Sequence, residues 1–125
     1  MLMRNIVFLE EPDKYFDENE FIAKLPEVGG EDELLKKLSE VLEFPDYFGN
    51  NWNALYDCLR DFHWMAKKGI VLVHHELPLL ADDKIKIYLN VLFEAAEDWL
   101  DNEAHYFKVI FPEKSRRFLE ANLLM

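Results

Sequence analysis

Three short runs of apolar, often β-branched residues are set apart by long segments with helical spacing, and this alternation narrows the fold more than any other feature. The runs are residues 5–9 (NIVFL), 69–77 (GIVLVHHEL) and 105–111 (HYFKVIF). Each reads as a strand largely covered on both faces, because polar residues do not alternate cleanly through it. Residues 31–44 (EDELLKKLSEVLEF) place Leu34, Leu35, Leu38, Val41 and Leu42 at helical intervals behind an acidic first turn. Pro45 is expected to end that helix, since its ring disfavours the α conformation in the residue before it. Gly49 then allows a turn, and Asn50 or Asn51 can cap a second helix running to about Met65, with Trp52, Leu55, Leu59 and Phe62 on one face. Residues 82–102 form the longest helix, capped by Asp82 or Asp83, with Ile85, Leu89, Leu92, Ala96 and Trp99 as its buried stripe. Helices between strands require crossover connections. The expected fold is therefore α/β with a small parallel sheet and right-handed crossovers.

The remaining segments are less decided. Residues 10–30 are irregular and punctuated by Pro12, Pro26, Gly29 and Gly30. Within them, residues 21–25 (FIAKL) suit a helical turn or a small edge strand equally. Pro112 stops the last strand, and residues 113–124 read as a short final helix or an ordered tail. A length of 125 residues suits one domain with one core.

Charge and residue inventory exclude more than they propose. Twenty-five acidic against 14 basic residues give a formal net charge of −11. Such a field disfavours nucleic acid and anionic membrane as partners and favours basic ones, beyond its plain effect on solubility. Cys58 is the single cysteine, so no intramolecular disulfide can form and a cytoplasmic setting is expected. The N-terminal residues do not read as a signal peptide, and no apolar stretch approaches the ~18 residues of a membrane span.

Catalytic groups are scarce. There is no threonine, the only serines are Ser39 and Ser115 outside any nucleophile elbow, and the four glycines make no phosphate-cradling loop. Cys58 sits beside Asp57 in a helix and reads as a small buried hydrophobe. His74 and His75 are adjacent on a strand and point to opposite faces, so they do not chelate one metal. The basic cluster of Lys114, Arg116 and Arg117 reads as surface complementing nearby acids. No cofactor, metal or catalytic residue is expected, and the chain does not read as an enzyme. What stands out is a polar row, Asn53, Asp57 and Asp61, at steps of four on a face separate from the apolar stripe.

That row lies in residues 44–59 (FPDYFGNNWNALYDCL), which closely resemble the barstar family: a Pro-acid-aromatic-aromatic-Gly run leads into an Ala-Leu-aromatic-Asp-Cys-Leu helix. A weaker likeness follows the element order over residues 30–111, leaving the 112–125 segment as an addition to a single domain. The resemblance implies a three-stranded parallel sheet packed with helices. It also implies an intracellular inhibitor that occludes the basic active site of a ribonuclease or related nuclease toxin in a 1:1 complex. A carboxylate would take the place of RNA phosphate, held by arginine forks. Carried onto this chain, Asp57 is the principal acid, with Tyr47, Asn51, Asn53, Tyr56, Arg60, Asp61 and Phe62 around it and Glu94 on the neighbouring helix as a second acid. The family pattern has aspartate at Asn53, tryptophan at Tyr56 and a small polar residue at Arg60. These departures leave open a second reading, an interaction module of the same fold with a non-nuclease partner.

Overall fold

The computed structural model describes residues 5–123. Its elements are β1 (Ile6–Leu9), β2 (Glu20–Leu25), α1 (Glu31–Val41), α2 (Trp52–Leu59), β3 (Gly69–His74), α3 (Asp82–Asp98), β4 (Tyr106–Pro112) and α4 (Arg116–Leu123), with single 3₁₀ turns at Pro12–Lys14 and Glu113–Ser115. The class is α/β with an all-parallel sheet, but the sheet has four strands in the order β1-β4-β3-β2, not three. The additional strand is β2, the segment that suited either a helical turn or an edge strand. Its alternation settles the matter: Ala23 and Leu25 enter the core while Lys24 faces out.

The helices lie on one side of the sheet. Leu34, Leu38, Leu55, Leu59, Ile85, Leu89 and Leu92 pack with Ala23, Leu25, Ile70, Leu72, Phe107, Val109 and Phe111 in one core. The other side has a smaller cluster of Val71, Val73 and Ile110, each fully buried, with Val7, Leu9, Ile22 and Tyr15 around them. Among the described residues no α-helix covers this side. The connection from β1 to β2 does so, passing behind β4 and β3 to join the two opposite edges of the sheet. β3 is buried along its whole length, as a central parallel strand should be.

Helix ends differ from their expected places. α1 stops at Val41, before Pro45 is reached. Glu43 adopts φ 57°, and the Phe44 and Glu43 N–H groups donate back to Ser39 O (2.9 Å) and Glu40 O (3.3 Å), a Schellman closure made without glycine. Asn51 rather than Asn50 caps α2, its Oδ1 accepting from Ala54 N at 2.8 Å. α2 ends at Leu59, not near Met65. Neither Asp82 nor Asp83 caps α3; both occupy its first turn, after Ala81. α3 ends at Asp98 because Trp99 turns to extended backbone and enters the core, 5 % exposed. α4 is the short final helix, with Leu119 buried and the Arg116 guanidinium over the Phe8 ring at 4.5 Å.

Candidate functional site

The polar row of α2 comes to the surface where α2 and α3 pack together. Leu55, Cys58 and Leu59 turn inward, which leaves Asn53 and Asp57 exposed on the opposite side of the helix. Trp52, Asn53, Tyr56, Asp57, Val91 and Glu94 line a cleft of about 420 Å³ between the two helices. Asp57 thus shares a cleft with Glu94, the acid expected on the neighbouring helix. On its other flank Asp57 joins Tyr47, Phe48, Ala54, Cys58 and Asp61 around a smaller hollow of about 140 Å³. The carboxylates of Asp57 and Glu94 make no hydrogen bond or ion pair among the described residues, whereas Tyr47, Asn51, Tyr56 and Arg60 around them are held.

Tyr47, Asn51, Tyr56 and Asp61 each have a partner that fixes them. Tyr47, 63 % exposed, lies parallel to His63 with ring centroids 6.5 Å apart and donates its hydroxyl to Asp61 at 3.3 Å. Asp61 also receives the His63 backbone N–H at 3.2 Å and lies 2.9 Å from His63 Nδ1. Desolvation pushes the Asp61 carboxyl upward, but the bonds from His63 and Tyr47 outweigh it and hold the pKa below the ordinary value. Tyr56 donates its hydroxyl to Asp98, and this bond, with burial, raises the phenol's pKa. Asn51 is committed to capping, with its amide also on Gly49 O at 3.2 Å. Burial, then the charges of Asp61 and Asp57, push the Cys58 thiol up to about 11, so it remains protonated and unreactive at neutral pH.

Two of the expected site residues are placed differently. Phe62 is fully buried, stacked on Trp99 with ring centroids 6.2 Å apart and packed edge-on against Trp64; it is core and does not reach the exposed face. Its spacing from Leu55 and Leu59 marks it as apolar face, and it is buried as they are; it is the family resemblance that places it at the interface. It reaches the core beyond the end of α2 through a left-handed backbone, φ 53°. Arg60 does not stand beside Asp57 as a free charge. Its guanidinium lies 4.3 Å from the centroid of the Trp99 ring and Nη2 is 3.4 Å from Glu103 Oε2. Asp98, Trp99 and Glu103, which hold Tyr56 and Arg60, were not signalled by the sequence. Asp98 lies 42 residues from Tyr56 and Glu103 lies 43 from Arg60, and only the packing of α2 against α3 brings them near.

A second polar cluster sits on the far side of the sheet. Glu20, Gly69 and Tyr106 stand abreast in β2, β3 and β4. A Cβ on Gly69 would run into the Tyr106 ring, so glycine opens the path by which that tyrosine crosses β3 to donate to Glu20. Tyr15 donates to the same carboxylate at 2.5 Å, and Lys108 pairs with it at 3.2 Å. Burial would raise the Glu20 pKa, but the hydrogen bonds from Tyr106, Tyr15 and Lys108 prevail and hold it below the ordinary range. His75 and Lys24 fasten the same crossing segment through Asp13. Inside the main core, His74 Nδ1–H donates to Ile110 O at 3.2 Å and Nε2 accepts from the Tyr88 hydroxyl at 2.6 Å. A carbonyl can only accept, which fixes that tautomer. Burial lowers the His74 pKa to about 3.

No helix among the described residues is long and apolar enough to cross a membrane. No curated protein and no solved structure matches the chain. The family model described as "Barstar (barnase inhibitor)" matches residues 19–112. The matched span contains β2, β3 and β4, three parallel strands with α1, α2 and α3, so β1 precedes it and is not its first strand. α4 follows it. With well over half its length covered by that match, and with the α2 helix and its acidic face inside it, the chain belongs to the Barstar family.

Proposed function

We propose that this protein is a cytoplasmic inhibitor or immunity protein that binds a basic ribonuclease or related nuclease toxin and occludes its active site with the α2–α3 face. The observation that carries this reading is that the Asp57 and Glu94 carboxylates share one cleft with no partner among the described residues, beside Tyr47, Tyr56 and Asp61, which are held in place. An exposed carboxylate on a rigid helix is ready to accept the forked donors of an arginine that would otherwise hold phosphate. Tyr47, Tyr56 and Asn53 surround Asp57 as a rim that excludes water, and Asn51 fixes the start of the helix that presents it. The net charge of −11 speeds encounter with a cationic partner.

The test uses barnase as the probe. Calorimetric titration should show a 1:1 complex whose association slows with added salt, as expected for steering between exposed charges. Absence of binding removes barnase-like ribonucleases as the target and leaves the non-nuclease interaction module as the reading to pursue; an association rate indifferent to salt counts against steering.

A further inference from the structure

Arg60 follows Asp57 by three positions at the end of α2, where side chains three apart are neighbours and opposite charges pair. Left to the helix alone, Arg60 would fold onto Asp57 and neutralise it. The structure shows it elsewhere. The turn after α3 reaches over the end of α2, and there the guanidinium lies on the face of Trp99 at 4.3 Å while Nη2 meets Glu103 at 3.4 Å. Trp99 is fixed in turn, its indole N–H donating to Leu59 O at 2.8 Å and its ring stacked on Phe62. Glu103 is fixed from the other side by the Leu100 N–H, 2.6 Å from Oε1. The Arg60 side chain is consequently only 24 % exposed, with Nη1 shut away from solvent.

From this geometry, and resting on the functional reading above, we propose that Glu103 is a positioning residue of the binding face: it competes for Arg60 and so keeps Asp57 free for a cationic group of the partner. The family position occupied here by arginine thus carries no positive charge onto the face, and the chain retains an anionic surface despite the substitution. Trp99 supplies the second half of the hold through a cation–π contact with a partly desolvated guanidinium. Asp98 in parallel fixes Tyr56, the rim residue next to Asp57, through its hydroxyl. Four carboxylates lie near the end of α2: Asp61, Asp98 and Glu103 are engaged with side chains, and Asp57 stays available.

The test is Glu103→Gln, which keeps the shape and removes the charge. In the native protein the Arg60 side-chain protons over Trp99 should show an upfield ring-current shift in the NMR spectrum. In Glu103→Gln that shift should collapse and contacts from Arg60 to Asp57 should appear. Barnase affinity should fall about tenfold, the scale of a close charge lost from an interface. The double variant Glu103→Gln/Arg60→Gln should recover most of that loss, which a merely structural role for Glu103 would not allow. An Arg60 that stays on Trp99 in Glu103→Gln, or a loss that the double variant does not rescue, overturns the proposal. Should barnase fail to bind the native protein, the functional reading fails, and the location of Arg60 still decides whether Glu103 keeps Asp57 free.

Discussion

Two acidic clusters of this molecule use the same residue types to opposite ends. Behind the sheet, Glu20 is enclosed by two tyrosine hydroxyls and the Lys108 ammonium, and 5 % of it is exposed. On the helix side, Asp57 and Glu94 stand in an open cleft with no internal partner among the described residues. A carboxylate whose lone pairs are satisfied within the chain contributes to the fold and has little left for a second molecule. One that is exposed, unpaired and carried by a rigid helix adds little to stability and keeps its full capacity for an external cation. The separation is testable: substitutions behind the sheet should alter folding and spare binding, and substitutions at the cleft should do the reverse.

The largest effect belongs to the interior. The buried His74 is neutral in the folded protein, with a pKa of about 3, whereas an unfolded histidine titrates near 6.5. Because its folded value is depressed, the unfolded chain binds the extra proton first, and stability falls as pH drops below 6.5 toward 3. The slope is about 1.4 kcal/mol per pH unit for one proton, or roughly 4 kcal/mol across the window. Chemical denaturation at stepped pH values should show this loss, and it should be largely absent in His74→Phe. An unchanged slope in that variant would assign acid sensitivity to other groups.

Glu20 follows in size. Glu20→Ala leaves Tyr15, Tyr106 and Lys108 without their common acceptor and should destabilise the protein by about 3 kcal/mol. Its carboxyl is held below the ordinary glutamate value of 4.5, so its contribution is complete above that value and is lost as pH falls through it toward the folded pKa. Gly69→Ala should act on the same cluster, because the added methyl displaces the Tyr106 ring. Equilibrium unfolding measures both. Barnase titration should show affinities within a factor of about two of the native one, since surfaces remote from an interface contribute independently of it.

Asp57→Ala reverses the pattern. Stability should stay within about 0.5 kcal/mol of native, as for an exposed helix position without partners. Affinity for barnase should drop by about 2 kcal/mol or more, the general threshold of an interface hot spot. A variant that loses stability but keeps affinity would show that Asp57 belongs with Glu20 and not opposite it.

The two clusters were unequally legible in the sequence. The helix face could be read because its signal is local: Asn53 and Asp57 recur at the period of the helix that carries them, Asp61 continues the spacing in the turn beyond it, and one continuous stretch holds the family's pattern. The parallel architecture was legible for the same reason, each strand and helix announcing its own period. β2 was not, because five residues of mixed pattern satisfy two periods, and only pairing with β3 distinguishes them. For Phe62 the spacing was right and the resemblance was not: it continues the buried stripe of Leu55 and Leu59, although α2 ends at Leu59, and does not reach the face. The Glu20 cluster left no trace at all. Tyr15 is near in the chain, but Tyr106 lies 86 residues away, and the space between them and the glutamate exists only because Gly69 sits opposite both in register. The pairing of Arg60 with Glu103 escaped for the same reason, since 43 residues separate the two.

The smallest effect sharpens the boundary of the open cluster. Tyr47 is exposed and contributes two separable things, a ring lying parallel to His63 and a hydroxyl on Asp61. Tyr47→Phe removes only the hydroxyl. Asp61 keeps its contacts with His63, so stability should change by less than about 0.5 kcal/mol, as is usual for an exposed hydrogen bond. Tyr47→Ala removes the ring as well. If the aromatic rim is what shields Asp57 in a complex, barnase affinity should fall by about 1 kcal/mol in Tyr47→Ala and by less than half of that in Tyr47→Phe. Equal losses in the two would place the effect in the hydroxyl, making Tyr47 a support for Asp61 and moving it from the contact rim to the held groups around it.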